Sequence, residues 1–268
     1  MKLIPVMLLL LASLIYQQSE AKNIDQWNGK QCAVVLTYDD ALNVDLDNVI
    51  PCLDSAGIKG TFYLIGESQV ISNRMSEWRL AAKHGHELGN HSLTHPCDGR
   101  LEGRSWVNPE NDLSKYSVDR VIKEIRVTNT LLQAIDGKTE RTFAFPCGDF
   151  KVDTVNYYRS LEHEFAGARG VQSGLQSLKT IDLNNINCFA INGQSGAYMI
   201  DLVKKAMDSH TLLVFLFHGV GGEHNINVSL EAHSQLIHYL KQHKNEIWIA
   251  PMVDVAKYVK EKQSPDKK

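Results

Sequence analysis

The chain has 268 residues, 43% of them hydrophobic and 22% charged, with a formal net charge of -3 and a pI near 6.4. That balance leaves no basic footprint for nucleic acid, and it gives enough apolar residues for a sizeable core in a single domain. No low-complexity or linker-like stretch divides it, and the Lys-rich C-terminus reads as a solvated tail.

Met1 and Lys2 precede an apolar run over residues 3–16, and Ser19-Glu20-Ala21 follows as a small-x-small pattern. This reads as a secretory signal peptide over residues 1–21, too short for a stable membrane span, the alternative being an uncleaved anchor. The mature domain, residues 22–268, is then expected to be secreted or periplasmic and free of the membrane after cleavage.

Along that domain strand-like and helical patterns alternate. Residues 32–37 form an apolar, β-branched run; Leu46, Val49, Ile50 and Leu53 then recur at helical spacing, with Gly57 as a stop and Pro51 as a local conflict. A strand over 61–65, a helix over 73–84 and a strand through Leu88 and Gly89 follow. A long polar loop, 96–116, carries Trp106. Val118, Val121, Ile122, Ile125, Leu132 and Ile135 make an amphipathic helix, opened by Ser117 and closed by Gly137. Next come a strand over 141–145, a helix over 152–161 and a strand over 164–167. The remainder reads as helix 197–208, strand 212–217, helix 229–241, strand 247–250 and helix 253–261. Repeated β then α units imply an α/β fold with a parallel sheet closed, or nearly closed, into a barrel.

Chemistry-bearing residues gather at predicted strand ends. The first strand ends in Thr37-Tyr38-Asp39-Asp40, and neighbouring carboxylates share a site only where a strand stops and the chain turns. His91 and His95, in His91-Ser92-Leu93-Thr94-His95, stand at i and i+4 on a helical turn or tight loop, where both can reach one metal ion. In the zinc-protease form of this spacing a Glu follows the first His; here Ser92 stands there, so any base must come from elsewhere.

These paired motifs resemble the polysaccharide deacetylase family, the NodB-like carbohydrate esterases. The resemblance implies an irregular, incomplete (β/α) barrel and a metal-dependent deacetylase acting on an acetylated carbohydrate, with the acetyl on oxygen or nitrogen. It makes Asp39 the general base and Asp40, His91 and His95 the ligands of a divalent metal, most simply zinc. Phe143-Ala144-Phe145-Pro146-Cys147-Gly148 stands where the family has R-x-P-Y. Pro146 then lines the substrate site, and the Cys147 backbone N–H takes the oxyanion role, which a side-chain change does not remove. The family's Arg, which orients the base, is replaced by Ala144; Arg141 or Arg169 could supply the cation, with a surface salt bridge as the other use for either. His218, ending the strand Val214-Phe215-Leu216-Phe217, matches the family's L-x-H general acid. The usual Asp that supports it is not visible, leaving Asp182, Glu223 and Asp254 as candidates. Trp106 could stack on sugar rings or pack its own loop, and Trp248 could line the pocket or the core. His84 is expected at the surface and His86 behind the site or in a structural role.

Five Cys permit two disulfides and one free thiol in an exported chain. Cys97 and Cys147 lie on loops expected to meet at the metal site, so we expect a Cys97–Cys147 bridge, against buried free thiols. Two other function classes stay open: a two-His, one-carboxylate iron oxygenase, which would need neither Asp39 nor His218, and a sugar-binding relic of the deacetylase fold.

Overall fold

Strand β1, Cys32–Asp39, is buried over its whole length, as expected of a central parallel strand covered on both faces. A computed structural model describes residues 27–264, so the expected leader over 1–21 lies outside the described residues. Seven further strands join β1: β2 Thr61–Leu64, β3 Glu87–Asn90, β4 Phe143–Ala144, β5 Ala168–Arg169, β6 Phe189–Ala190, β7 Leu212–Phe217 and β8 Ile247–Ile249. They run in the order β5-β4-β3-β2-β1-β7-β6, with β8 also on β1, and every pairing is parallel.

One edge of β1 pairs with β7 over Ala33 to Tyr38, while the other is divided between β8, opposite Cys32 to Val34, and β2, opposite Thr37 to Asp39. The sheet curls until its two ends meet one segment: Ile186 bridges Arg169, and β6, three residues on, pairs with β7. This is the irregular (β/α) barrel of the α/β class that the resemblance implies. Strand periodicity sorts β1 between two cores. Val34, Leu36 and Tyr38 pack with apolar residues of helices α1 (Ile50–Ala56), α5 (Gly196–Ser209) and α6 (Leu230–Gln242); Ala33 and Val35 pack with β7 and with Met252, Val255 and Val259. Asp39 continues the second face and so emerges at the C-terminal end of the sheet.

The two caps read from sequence are in place: the Ser117 side chain accepts from Arg120 N–H at the start of the helix Val118–Asp136, and Gly137 ends it at φ 73°. Ser229, expected as the first residue of its helix, is the N-cap of α6 and accepts from Ala232 N–H. Pro51 is accommodated because the chain enters α1 through a π-turn, Asp45–Val49, in which Ile50 N–H bonds to Asp45 C=O; the wider turn places proline at the start of the α-helix, where its missing N–H costs little.

The helix expected over 73–84 is Met75–Lys83, preceded by a short helix, Gln69–Asn73, that ends at Arg74. Two expectations are corrected. Residues 152–161 are not helical: a small hairpin, Lys151–Val152 with Val155–Asn156, turns at Asp153 (φ 51°), and 3-10 turns follow. Asn156 caps Tyr158 N–H there, a local bond that competes with helix, although Val152, Val155, Tyr158 and Leu161 recur at helical spacing. The strand expected over 164–167 is displaced to β5, and β6, within the short apolar run Cys188 to Ile191, was not expected.

Gly89 in β3 tests this packing. A Cβ there would lie 2.5 Å from the buried Tyr63 ring, whose hydroxyl bonds Thr142. Gly89→Ala is expected to cost about 1–3 kcal/mol, the usual range for overpacking, read as a lowered urea midpoint; an unchanged midpoint would contradict the close approach.

Candidate functional site

The two aspartates at the end of β1 share a site because the backbone reverses there. Asp40 and Ala41 have φ of 82° and 58°, a left-handed conformation that is strained for residues with a Cβ, and it brings the second carboxylate round beside the first.

The His91 to His95 segment is a tight loop rather than a helical turn. Ser92 and His95 have φ of 65° and 51°, Asn90 Oδ1 accepts from Ser92 N–H, and Ser92 Oγ accepts from His95 N–H. His91 Nδ1 lies 2.9 Å from the Ala144 carbonyl; the ring donates there, which leaves Nε2 as a free lone pair. His91 Nε2 and His95 Nε2 stand 3.5 and 3.6 Å from Asp40 Oδ1.

Asp40 Oδ1 is buried and has no hydrogen-bond partner among the described residues. An orphaned carboxylate oxygen facing two imidazole nitrogens, all within 4.8 Å of one another, is a donor set that fits a divalent cation. Burial pushes the Asp40 carboxyl above its ordinary range and Asp39 pushes it further, against His218, His224 and Arg169. Burial lowers His95, and lowers His91 to about 3, so both are neutral, the form that ligates metal. A second group, His95 with Cys97 and Cys147, is no thiolate site, because the structure joins the two sulfurs in a disulfide with Cα atoms 5.8 Å apart.

Asp39 is held differently. Burial would raise its pKa, but Arg169, followed by His91 and His218, outweighs that and holds it below the usual carboxylate range. Arg169 on β5 is fully buried and ion-paired through Nη2 to Asp39 Oδ2, with its guanidinium 5.1 Å from the Tyr63 ring centre. The cation missing at Ala144 is thus supplied from the next strand. Arg141, equally buried, bonds the Leu88 carbonyl and Asp136 away from the site, so neither arginine forms a surface salt bridge.

Pro146 and Cys147 form a 3-10 turn closed by Gly148 N–H to Phe145 C=O and Asp149 N–H to Pro146 C=O, which leaves the Cys147 amide out of those bonds; Cys147 itself has φ 56°. The disulfide and Arg104, which bonds Cys147 C=O and Asp149, tie this turn to the 98–112 loop. Trp106 stands on that loop, 63% exposed.

His218 follows β7 with Nε2 3.9 Å from Asp40 Oδ2, and its Nδ1 is buried without a partner among the described residues. None of the three acids proposed to support it does so. Glu223 bonds Asn43 and the Val44 N–H, Asp182 accepts from Asn184 N–H, and Asp254 stands in the first turn of the last helix, Met252–Gln263. Trp248 sits opposite Ala33, at the far end of β1, half-buried and edge-on to Tyr258 against the second core. His84 is partly exposed and paired with Asp54; His86 is buried, accepting from Gly60 N–H, a structural place. The residue that sequence did not mark is His224, whose Nε2 is 3.7 Å from Asp40 Oδ2 and whose ring stacks on His218. The chain between His218 and His224 turns through Gly221, Gly222 and Glu223 at positive φ, so no regular strand or helix register relates the two, and that glycine pair was the visible signal.

Residues 27–166 match the family model described as polysaccharide deacetylase. A bifunctional xylanase/deacetylase of Pseudobutyrivibrio xylanivorans is 25% identical over 210 residues, 75% of this chain and 33% of that protein. Among solved structures, the Xyl-CE4 domain of a multidomain xylanase from a Trinervitermes trinervoides hindgut metagenome superposes with a TM-score of 0.53 at 20% identity, covering 87% of this chain and 92% of that one. A single-site mutant of the peptidoglycan deacetylase PdaC from Bacillus subtilis gives 0.51 at 17%, covering 87% and 93%. The chain spans less than half the length of the curated relatives it matches.

The sulfur chemistry differs from the expected two bridges: Cys32, Cys52 and Cys188 are free. Denatured without reductant, the protein is expected to titrate three thiols, with peptide mass mapping placing Cys97 and Cys147 in one linked fragment; five thiols would remove the bridge.

Proposed function

Because the chain belongs to the polysaccharide deacetylase family, we propose that it is a metal-dependent hydrolase that removes acetyl groups, as esters or amides, from a polysaccharide or oligosaccharide. The observation that carries the reading is the unequal treatment of two adjacent carboxylates. Asp39 is paired with buried Arg169 and kept ionised, while Asp40 turns an unpartnered oxygen toward His91 and His95.

Asp40, His91 and His95 would hold the metal, most simply zinc. Such an ion supplies Lewis acidity, which acidifies water and polarises a carbonyl oxygen. The chain's own residues do the rest. Asp39 Oδ1, buried and without a partner among the described residues, accepts the proton of the attacking water, and Arg169 on the other oxygen keeps that carboxylate anionic and oriented. As the acetyl carbonyl becomes tetrahedral, the Cys147 N–H donates to the developing oxyanion. His218 returns a proton to the departing sugar oxygen or nitrogen. Burial pushes the His218 pKa down, opposed by Asp39 and Asp40 and reinforced by His224 and Arg169, so the imidazole is neutral at rest; as negative charge builds beside it, it takes up from solvent the proton it passes on, and Asp39 returns the water's proton to solvent. The products are acetate and a deacetylated sugar. Pro146 and the exposed Trp106 offer apolar surface to sugar rings. The Cys97–Cys147 bridge suits the export expected from residues 1–21, since disulfides persist in oxidising compartments.

Acetate release should be screened on acetylxylan, chito-oligosaccharides and peptidoglycan. Turnover on at least one, abolished by chelator and restored by zinc, is expected; a zinc-loaded protein that releases no acetate from any of them would leave only a sugar-binding role. The pH dependence follows from Asp39. Its depressed pKa keeps the base ionised well into acid, and Arg169→Met removes the largest lowering influence while burial remains. The acid limb of kcat/KM is therefore expected to move to higher pH, with the rate in mild acid falling by at least about tenfold, part of the range for loss of a general base. An acid limb left in place would disconnect Arg169 from the base.

A further inference from the structure

His224 sits where three observations converge. The segment leading to it is held in an unusual path: Gly221, Gly222 and Glu223 have φ of 81°, 139° and 65°, and the Glu223 carboxylate is anchored to Asn43 Nδ2 and Val44 N–H, each at 2.8 Å, on the chain that leaves the aspartate pair. A left-handed glutamate is strained, and here the strain hangs the next residue over Asp40. The imidazole itself is fixed. Ile226 N–H donates to His224 Nδ1 at 3.0 Å; the same nitrogen is 3.3 Å from the Ile226 carbonyl, but the shorter, directed N–H contact makes Nδ1 the acceptor and places the ring proton on Nε2. That N–H faces Asp40 Oδ2 at 3.7 Å, an electrostatic contact longer than a hydrogen bond. The flat of the ring lies on His218, centroids 4.8 Å apart and planes 13° from parallel.

The Asp40 carboxylate is thereby divided. Oδ1 faces His91 and His95, and Oδ2 faces His218 and His224. An imidazole protonated at Nε2 has no lone pair there to give a metal, so His224 is no fourth ligand in this arrangement. His218, for its part, has an Nδ1 without a partner among the described residues, so no hydrogen bond from them sets its plane.

We propose that His224 is a positioning residue of the site. Its Nε2–H draws Asp40 Oδ2 away from the metal position so that Oδ1 alone is presented with His91 and His95, and its ring face holds the plane of His218 in place of a hydrogen-bonded acid. The proposal rests on the deacetylase reading for the role of His218, but its effect on Asp40 can be measured without any substrate.

Three variants separate the two actions: His224→Gln keeps an N–H donor without the ring, His224→Phe keeps a ring without the donor, and His224→Ala keeps neither. Zinc affinity, measured on the purified full chain by chelator competition, is expected to fall about tenfold in the Phe and Ala variants, the lower end for loss of an outer partner, and to be largely rescued in Gln. Turnover at saturating zinc is expected to follow the ring, with Phe nearest to wild type and Gln and Ala lower. Zinc affinity unchanged in all three would overturn the proposal. So would a loss in Ala as complete as that of His91→Ala, which would make His224 a ligand, or equal losses in all three with a matching drop in Tm, which would make it a packing residue. A chain inactive on every glycan but showing the zinc pattern would sink the deacetylase reading and leave the Asp40 contact standing.

Discussion

The ion pair between Arg169 and Asp39 is the constraint on which the rest of the site depends. Both groups are buried, and breaking such a pair by removing one partner typically costs about 3–5 kcal/mol, because the other charge is left uncompensated. The pair ties β5, at one end of the curled sheet, to the end of the central strand, so the curvature of the barrel and the ionisation of Asp39 are one arrangement. The guanidinium is seated on the Tyr63 ring, and Tyr63 in turn closes on Gly89 just before the His91 loop. A single stack of contacts therefore runs from Asp39 through the arginine and Tyr63 to the strand that presents the imidazoles.

That pair also lets two adjacent residues of the same type behave differently. Asp39 lies within the strand, facing inward, and meets the arginine; Asp40 lies beyond the reversal at positive φ and meets the histidines. Identical side chains acquire opposite tendencies, one held below its ordinary pKa by a cation and the other raised by burial and by its neighbour. A raised carboxyl with an orphaned oxygen gains most from a bound cation. The disulfide and the Arg104 contacts hold the Cys147 turn against the 98–112 loop on the same side of the sheet, where active sites of parallel α/β folds gather.

Much of this was legible because it is local. Thr37-Tyr38-Asp39-Asp40 and His91 to His95 are short motifs whose meaning depends on a strand ending, and the long helices with Ser caps and Gly stops follow from 3.6-residue periodicity alone. What was not legible depends on distance or on very short elements. Arg169 stood among the candidate cations, but only the curl of the sheet, across 130 residues of sequence, decides that it and not Arg141 meets Asp39. The two-residue strands β5 and β6 carry no periodicity, and residues 152–161 have a helical apolar spacing that Asn156 and the turn at Asp153 override. His224 is placed by a loop path through three positive φ values, which no spacing rule describes.

The central claim is the division of labour between neighbouring carboxylates, and substituting each by its nearest isostere while measuring bound zinc and acetate release together tests it most directly. Asp39→Asn keeps the shape but cannot accept the water's proton, so it is expected to bind zinc as wild type does while losing on the order of 10²- to 10⁴-fold in turnover. Asp40→Asn removes the only carboxylate ligand and is expected to lose zinc first and activity with it. Wild-type turnover by zinc-loaded Asp39→Asn, or full zinc retention by Asp40→Asn, would contradict the assignment of base and ligand on which the proposed chemistry rests.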